Sequence, residues 1–224
     1  ILALRFGLLE GELRHAAESH LIDRIKERDW HLSTGFLGCA YALPTLTEIG
    51  RSDVAYRLLE NTDFPSWGYP IQHGATTMWE RWDGWTHHKG FQDPGMNSFN
   101  HYAFGAVGEW MYRTMAGLCP AAPGYRQVKI APQVGGHFTF VRAEYHSICG
   151  HILSEWRMEN GLLRLRVRIP ANTKAIVRVP SKAPDRVREI TCGSDARVAP
   201  TQCESDAAIF EIGSGEYLFE SEWK

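Results

Sequence analysis

Residues 150–169 read GHILSEWRMENGLLRLRVRI, and this stretch determines how the second half of the chain folds. From residue 163 to residue 169 apolar side chains alternate with arginines, which is the period of a strand with one buried and one solvated face. Asn160-Gly161 separates this run from residues 150–159 and is a strong signal for a two-residue turn. The stretch therefore predicts an antiparallel β-hairpin.

Short strand-like runs recur on both sides of this hairpin, with turn residues between them. This spacing is typical of an antiparallel β-sandwich. We expect Trp156 to lie in its core, and we expect the arginines of the hairpin to form a solvated sheet face rather than a binding surface. The sandwich would then support its neighbour rather than carry chemistry. The additional strand candidates are residues 127–131, 138–145, 175–179 and 216–221.

The chain changes character near residue 119. The segment CPAAPG at 119–124 suits neither a helix nor a strand. Residues before it show helical periodicity and include six of the eight tryptophans. The sequence thus predicts two domains, a helical one over residues 1–118 and the β-sandwich over residues 119–224.

Four helices are predicted in the first part. The first spans residues 12–27 and places apolar side chains on one face. In the second helix Pro44 should cause a kink or a break. Gly50 is a good stop for that helix, and Ser52 or Asp53 can begin the next. The last three predicted helices span residues 36–49, a range from 52 or 53 to 61, and a range from 98 or 100 to 118.

Composition excludes several classes of protein. The chain has 224 residues, a net charge of -2 and a pI of about 6.6, so binding to a nucleic-acid backbone is not its main function. No apolar run approaches the roughly 20 residues that span a bilayer, and we expect no membrane partner. No cofactor motif or zinc spacing is present, and we expect neither a cofactor nor a metal.

The five cysteines and the first residue give two further expectations. We interpret the cysteines as free, partly buried thiols, although a disulfide between two of Cys149, Cys192 and Cys203 stays open. The chain begins with Ile1 and shows no signal-peptide layout, so we expect it to be cut from a longer protein. Its compartment is left undetermined.

Residues 63–102 form the segment with the strongest indication of chemistry. They read DFPSWGYPIQHGATTMWERWDGWTHHKGFQDPGMNSFNHY, in which nine of 40 residues are aromatic. Loops are normally polar, and exposed tryptophan is costly without a partner. Flat aromatic faces suit sugar rings, and carboxylates beside them suit glycoside hydrolysis. Packing of Trp79 and Trp82 against Glu80 would also desolvate this carboxyl. We interpret the segment as a site centred on Glu80, against the alternative that the tryptophans only fill the end of a helical barrel.

The histidines of this segment are weaker signals. His87 and His88 are adjacent and are interpreted as exposed loop residues, since metal ligands are usually spaced. The sequence leaves two interpretations of His73 open, as a side chain of the hydrophobic core or as part of the functional site. His101 stands at the predicted start of the last helix, where a side chain can face a cavity.

The first part contains four long strings, HLSTGFLG (31–38), LTEIGRSDVAYRLL (46–59), SWGYPIQHGATTMWERWDG (66–84) and FQDPGMNSFNHYAFGAVGEW (91–110). These strings closely resemble a known family, the bacterial α-L-rhamnosidases of glycoside hydrolase family 78. In the second part APGYRQVKIAP (122–132) and IPANTKAIVRVP (169–180) resemble the C-terminal β-sandwich of the same enzymes. The resemblance covers essentially the whole chain.

The resemblance implies a fold and a set of roles. The fold is a partial (α/α)₆ barrel followed by an antiparallel β-sandwich, and the chemistry is inverting hydrolysis of terminal α-L-rhamnosyl residues. Glu80 would be the general base, His101 would contact the bound rhamnose, and Trp79 and Trp82 would line the sugar pocket. The substrate partner would be a rhamnose-containing glycoside.

One departure limits what this chain does alone. The family's general acid belongs to a motif of the type DxPxRxERxGW, which does not occur here. Glu10 and Glu12 are the only early carboxylates, and neither has that context. We therefore expect the remainder of the same enzyme upstream of residue 1 and an inactive fragment. The alternatives are a carbohydrate-binding module without catalysis and a purely structural fragment.

Overall fold

The structure, a computed structural model, describes residues 1–191 and 198–223. The chain forms two compact units, Ile1–Trp110 and Met111–Lys224. The first is mainly helical and the second consists of β-sheets, as the sequence predicts. Among the described residues, no helix has the length and apolar character needed to cross a membrane.

In the first unit the second, third and fourth helices agree with the predicted periodicity, whereas the first and the fifth were not predicted. They are α1 (Leu2–Arg5), α2 (Gly11–Glu27), α3 (Phe36–Glu48), α4 (Ser52–Glu60), α5 (Gly68–Gln72) and α6 (Val107–Trp110). The last of these continues a 3₁₀ turn at Ala103–Ala106. The predicted helix from residue 98 or 100 therefore begins only at Ala103, because the residues before it hydrogen-bond elsewhere.

Helix α3 is the centre of the first unit's interior. Ala42, Leu43 and Leu46 on this helix are fully buried, and α3 packs against α4. Pro44 was predicted to kink or break this helix, and α3 continues past it, so there is no break. A kink at Pro44 stays a prediction. The end of α3 is as predicted, because Arg51 N–H donates to Leu46 O at 2.7 Å and Gly50 N–H donates to Thr47 O at 3.0 Å. This pair of bonds satisfies carbonyls that the helix end would leave unpaired.

Only part of the predicted apolar face of α2 is buried. Ile22 and Ile25 are buried, Leu21 is half-buried and Leu13 is 70% exposed. The C-terminal part of this face is therefore covered within the chain, whereas Leu13 near the start of α2 is left in solvent.

The second unit contains two five-stranded sheets. The strands, including two in the first unit, are β1 (Trp85–Thr86), β2 (Gly90–Phe91), β3 (Leu118–Pro120), β4 (Gln127–Ile130), β5 (Phe140–Ser147), β6 (Gly150–Glu159), β7 (Leu162–Ile169), β8 (Lys174–Pro180), β9 (Arg188–Glu189), β10 (Gln202–Cys203), β11 (Ala207–Ile212) and β12 (Gly215–Glu222). One sheet of the second unit has the order β10-β11-β8-β4-β3 and the other the order β5-β6-β7-β12-β9. Among the described strands, all pairs are antiparallel except β4 with β8, which are parallel.

The hairpin at residues 150–169 forms as predicted. Strands β6 and β7 pair from Leu153↔Arg168 to Glu159↔Leu162, and Asn160 and Gly161 both have positive φ. Trp156 is fully buried, and its Nε1–H donates to Met115 O at 2.7 Å. The core around it combines side chains from both sheets.

The arginines of β7 lie on a polar sheet face, as expected. Arg164 pairs with Glu220 at 3.0 Å, and both Arg166 and Arg168 pair with Glu216 on the neighbouring strand β12. These cross-strand ion pairs hold the register of the two strands. They leave the apolar residues of β7 on the buried face.

The residues around the predicted domain boundary belong to the sheets. A π-helical turn at Met111–Met115 precedes β3, which pairs with β4. Ser154 Oγ donates to Ala116 O at 2.6 Å. The boundary after Leu118 stays a prediction.

Gly117 offers a test of this packing. Its φ is +70°, and a Cβ atom there would lie 2.1 Å from the backbone nitrogen of Pro132. Because backbone cannot move aside cheaply, Gly117→Ala is expected to lower the free energy of unfolding by about 2 kcal/mol or more. Thermal denaturation followed by circular dichroism measures the shift. Gly213→Ala is the matched control, since a Cβ there meets nothing within 4 Å, and equal midpoints for the two variants would contradict the prediction.

The cysteines are free where the structure describes them. Cys39, Cys119, Cys149 and Cys203 are thiols, so no bridge joins Cys149 to Cys203. Cys192, the third candidate for a disulfide, lies outside the described residues. Burial raises the pKa of the Cys39 thiol to about 12, which makes it an inert core side chain.

Candidate active site

Residues 78–101 of the first unit fold into one irregular hairpin, which we call the site hairpin. At its base His101 N–H donates to Met78 O and Glu80 N–H donates to Ser98 O, both at 2.8 Å. Further out, β1 and β2 pair, with Trp85 opposite Phe91. The two arms therefore run side by side, and they place Glu80 and His101 near one another at the base of the hairpin.

Glu80 is held by one carboxylate oxygen. Its Oε2 accepts a hydrogen bond from the backbone N–H of Ser98 at 2.8 Å. Within the described residues, Oε1 makes no hydrogen bond or ion pair, and the side chain is half-buried. A backbone N–H bound to a carboxylate is a charge-assisted hydrogen bond. The arrangement fixes the carboxylate and leaves one oxygen available to accept a proton.

His101 is half-buried and its ring is oriented by its neighbours. The imidazole stacks on Phe36 with ring centroids 4.8 Å apart, and Ala103 N–H donates to Nδ1 at 3.4 Å. A nitrogen that accepts this bond carries no proton, so the proton of the neutral ring is on Nε2. In the described part of the chain, Nε2 has no hydrogen-bond partner. His101 can therefore donate a hydrogen bond to a ligand through Nε2–H.

Trp79 and Trp82 are buried in the first unit, with 6% and 9% of their surface exposed. Trp82 stacks on Phe104 with ring centroids 3.7 Å apart and meets Trp67 edge to face. Trp79 packs edge to face against Phe99. Trp82 thus helps to hold the site hairpin on the unit, whereas Trp79 packs the two arms of the hairpin together. Their predicted contact with a sugar stays a prediction.

Other polar side chains of the segment have structural contacts. Asp83 Oδ1 lies 3.3 Å from Arg81 Nε, and Asp93 Oδ1 accepts from the amide of Gly95 at 2.8 Å. His87 and His88 are exposed, as expected. In the part of the chain that the structure describes, no group of three or more histidine, cysteine or acidic side chains is placed to hold a metal.

A cleft of about 460 Å³ lies along the outer half of the site hairpin, and we call it the hairpin cleft. Sequence reasoning did not single out most of its residues, although all of them fall inside the aromatic-rich segment 63–102. Residues that line the hairpin cleft include Phe64, Tyr69, His73, Asp83, Lys89 and Gln92.

Two family models match the chain. Residues 1–115 match the bacterial alpha-L-rhamnosidase 6 hairpin glycosidase domain, and residues 117–192 match the bacterial alpha-L-rhamnosidase C-terminal domain. The matches follow one another along the chain.

Curated relatives and solved structures agree with these models. An alpha-L-rhamnosidase of Streptomyces avermitilis is 49% identical over 98% of this chain, and one of Formosa agariphila is 42% identical over 81%. This chain covers 21% and 20% of those two proteins, so it spans about a fifth of the length of the relatives it matches.

Two structures align with nearly the whole chain. The crystal structure of the Streptomyces avermitilis alpha-L-rhamnosidase complexed with L-rhamnose has a TM-score of 0.89 at 48% identity and 98% coverage, and this chain covers 21% of it. The structure of alpha-L-rhamnosidase from Dictyoglumus thermophilum has a TM-score of 0.83 at 31% identity and 99% coverage, and this chain covers 25% of it.

Proposed function

Because this chain belongs to the bacterial α-L-rhamnosidase family with the 6-hairpin glycosidase domain, we propose that it is part of a glycoside hydrolase that removes terminal α-L-rhamnosyl residues. In this proposal residues 1–118 are the C-terminal part of an (α/α)₆ barrel and residues 119–224 are the C-terminal β-sandwich. The chain supplies the general base, Glu80. Its substrate partner is a rhamnose-containing glycoside.

The environment of Glu80 carries this proposal. One carboxylate oxygen is fixed by the Ser98 amide, and the other is left without a partner in the described chain. A general base needs a fixed position and an oxygen that is open to the proton it removes. Glu80 meets both requirements, and it lies beside the arm that carries His101.

The mechanism proposed is inverting hydrolysis. Water attacks the anomeric carbon, and Glu80 takes the proton of that water while an acid protonates the leaving oxygen from the opposite side of the ring. The acid carboxyl stands about 6.5–9.5 Å from the base in such enzymes. Because this chain has no DxPxRxERxGW-type motif, we propose that the acid comes from the rest of the enzyme.

A chimera tests this proposal. In it this chain replaces the matching fifth of the Streptomyces avermitilis relative. The chimera is expected to hydrolyse an aryl α-L-rhamnoside, and NMR of the first-formed rhamnose is expected to show the inverted anomer. A folded chimera that retains substrate affinity without turnover would instead favour a non-catalytic carbohydrate-binding role. One that does neither would favour a purely structural fragment.

His101 gives a separate prediction for the same chimera. His101→Ala removes the Nε2–H donor and is expected to raise KM about tenfold, the effect of losing roughly 1–1.5 kcal/mol of hydrogen bonding, with a smaller effect on kcat. Steady-state kinetics on the aryl rhamnoside measures both constants. The exposed His15 of α2 provides the control as His15→Ala. Unchanged KM in His101→Ala would argue against contact with the sugar.

A further inference from the structure

The hairpin cleft has an aromatic wall that is open to solvent. Phe64 is 53% exposed and meets Tyr69 edge to face, with ring centroids 5.5 Å apart. An exposed phenyl ring forgoes part of the free energy that burial of its apolar surface would yield. Such a ring gains by packing against the apolar C–H face of a ligand. The cleft therefore offers a flat surface on one side.

Around this surface the cleft presents both hydrogen-bond donors and acceptors. His87 N–H donates to Nδ1 of His73 at 3.4 Å, which leaves Nε2–H of His73 as a donor. Asp83 binds Arg81 through Oδ1, and Oδ2 is an unpaired acceptor among the described residues. Neither the ammonium of Lys89 nor the side-chain amide of Gln92 has a partner in that part of the chain.

This combination suits a sugar residue better than an aromatic group. Each hydroxyl of a sugar both donates and accepts, so it matches a cleft in which donors and acceptors are mixed. A flat aromatic ligand would leave the ammonium of Lys89 and the carboxylate of Asp83 unpaired against an apolar surface, which is unfavourable. The cleft also carries one charge of each sign, on Asp83 and Lys89, so it does not favour a ligand with a strong net charge.

The cleft lies close to Glu80 along the chain. Asp83 follows Glu80 by three residues, and three residues of extended chain span at most about 10 Å. A group joined to a rhamnose at Glu80 can therefore extend along the site hairpin into the cleft. Gln92 lines the cleft from the other arm of the site hairpin, and its backbone N–H donates to Gly84 O at 3.0 Å.

From these observations we infer that the hairpin cleft binds the sugar residue to which the rhamnose is attached, on the leaving-group side. This inference rests on the proposed rhamnosidase function. It makes Lys89 and Gln92 residues that select the substrate and do not take part in bond cleavage.

A comparison of two substrate types tests the inference in the chimera. Lys89→Ala/Gln92→Ala is expected to lower kcat/KM about tenfold on α-L-rhamnosyl-glucose disaccharides of different linkage, the effect of losing one or two hydrogen bonds. The same variant is expected to stay within about twofold on an aryl α-L-rhamnoside, which has no sugar to place in the cleft. Lys26→Ala, on the exposed side of α2, is the control.

Each other outcome overturns a definite part of the argument. Equal losses on both substrates, or none on either, would show that the cleft does not select a sugar. A larger loss on the aryl substrate would assign the cleft to aromatic leaving groups instead. If the unmodified chimera folds but hydrolyses neither substrate, the proposed function fails and this inference falls with it. Should the double variant not fold by circular dichroism, Gln92→Ala alone gives the same comparison.

Discussion

Replacing Glu80 by glutamine in the chimera is expected to lower kcat for an aryl α-L-rhamnoside by about 10²–10⁴-fold, the usual effect of removing a general base. Glutamine has nearly the same shape, and its carbonyl oxygen can still accept the hydrogen bond from the Ser98 amide. The site hairpin should therefore keep its structure, and binding of rhamnose should be largely retained. Only the capacity to take a proton is lost.

Two measurements make this test specific. Kinetics gives the fall in kcat, and equilibrium binding of rhamnose shows whether the site is intact. Glu12→Gln is the matched control, because Glu12 is an exposed carboxylate on α2. Restoration of activity by azide would support a role in activating water. A near-normal rate in Glu80→Gln would show that another group is the base.

The second large effect is the absence of turnover by this chain alone. Inverting hydrolysis needs two carboxylates on opposite sides of the scissile bond, and only the base is assigned within these residues. We expect no hydrolysis of an aryl α-L-rhamnoside above background by the isolated chain, under conditions in which the chimera is active. The assay requires only the two proteins at equal concentration.

Activity of the isolated chain would change the assignment of the acid. If that activity disappeared in Glu80→Gln, the acid would have to be a local carboxylate such as Asp83 or Asp93. Asp83 pairs with Arg81, and Asp93 caps the turn that follows it. Substituting each in turn with asparagine would identify which of them serves.

The first unit also leaves apolar side chains in solvent. Leu13, Leu37 and Phe91 are each at least 70% exposed. Burial of each would contribute roughly 1.5–3 kcal/mol. If these side chains are covered in the complete enzyme, the isolated chain should be less stable than the chimera and prone to associate.

Local sequence patterns were sufficient to predict those elements whose structure is determined by neighbouring residues. Alternation of apolar and charged side chains identified the hairpin at residues 150–169, because side chains of a strand point alternately to its two faces. Helical periodicity located α2, α3 and α4, although Pro44 was predicted to kink or break α3 and the helix continues past it. The long motifs around Glu80 and His101 indicated the family and the proposed site residues.

Contacts between distant residues decided the rest. The last helical segment of the first unit begins with the 3₁₀ turn at Ala103 and not at residue 98 or 100, because His101 N–H hydrogen-bonds to Met78 O. The burial of Trp79 and Trp82 depends on partners such as Phe99 and Phe104.

The sequence by itself therefore determined the fold class, the family and the identity of Glu80 as the candidate base. The fold class follows from periodicity and from contiguous motifs, and the family and the candidate role of Glu80 follow from the resemblance of those motifs to known α-L-rhamnosidases. Both kinds of signal are properties of the chain alone. Only the tertiary structure decided how Glu80 is held, which nitrogen of His101 can donate, and that Phe64, Asp83 and Gln92 line one cleft. Those features depend on hydrogen bonds and packing between segments far apart in the chain, and no local pattern encodes them.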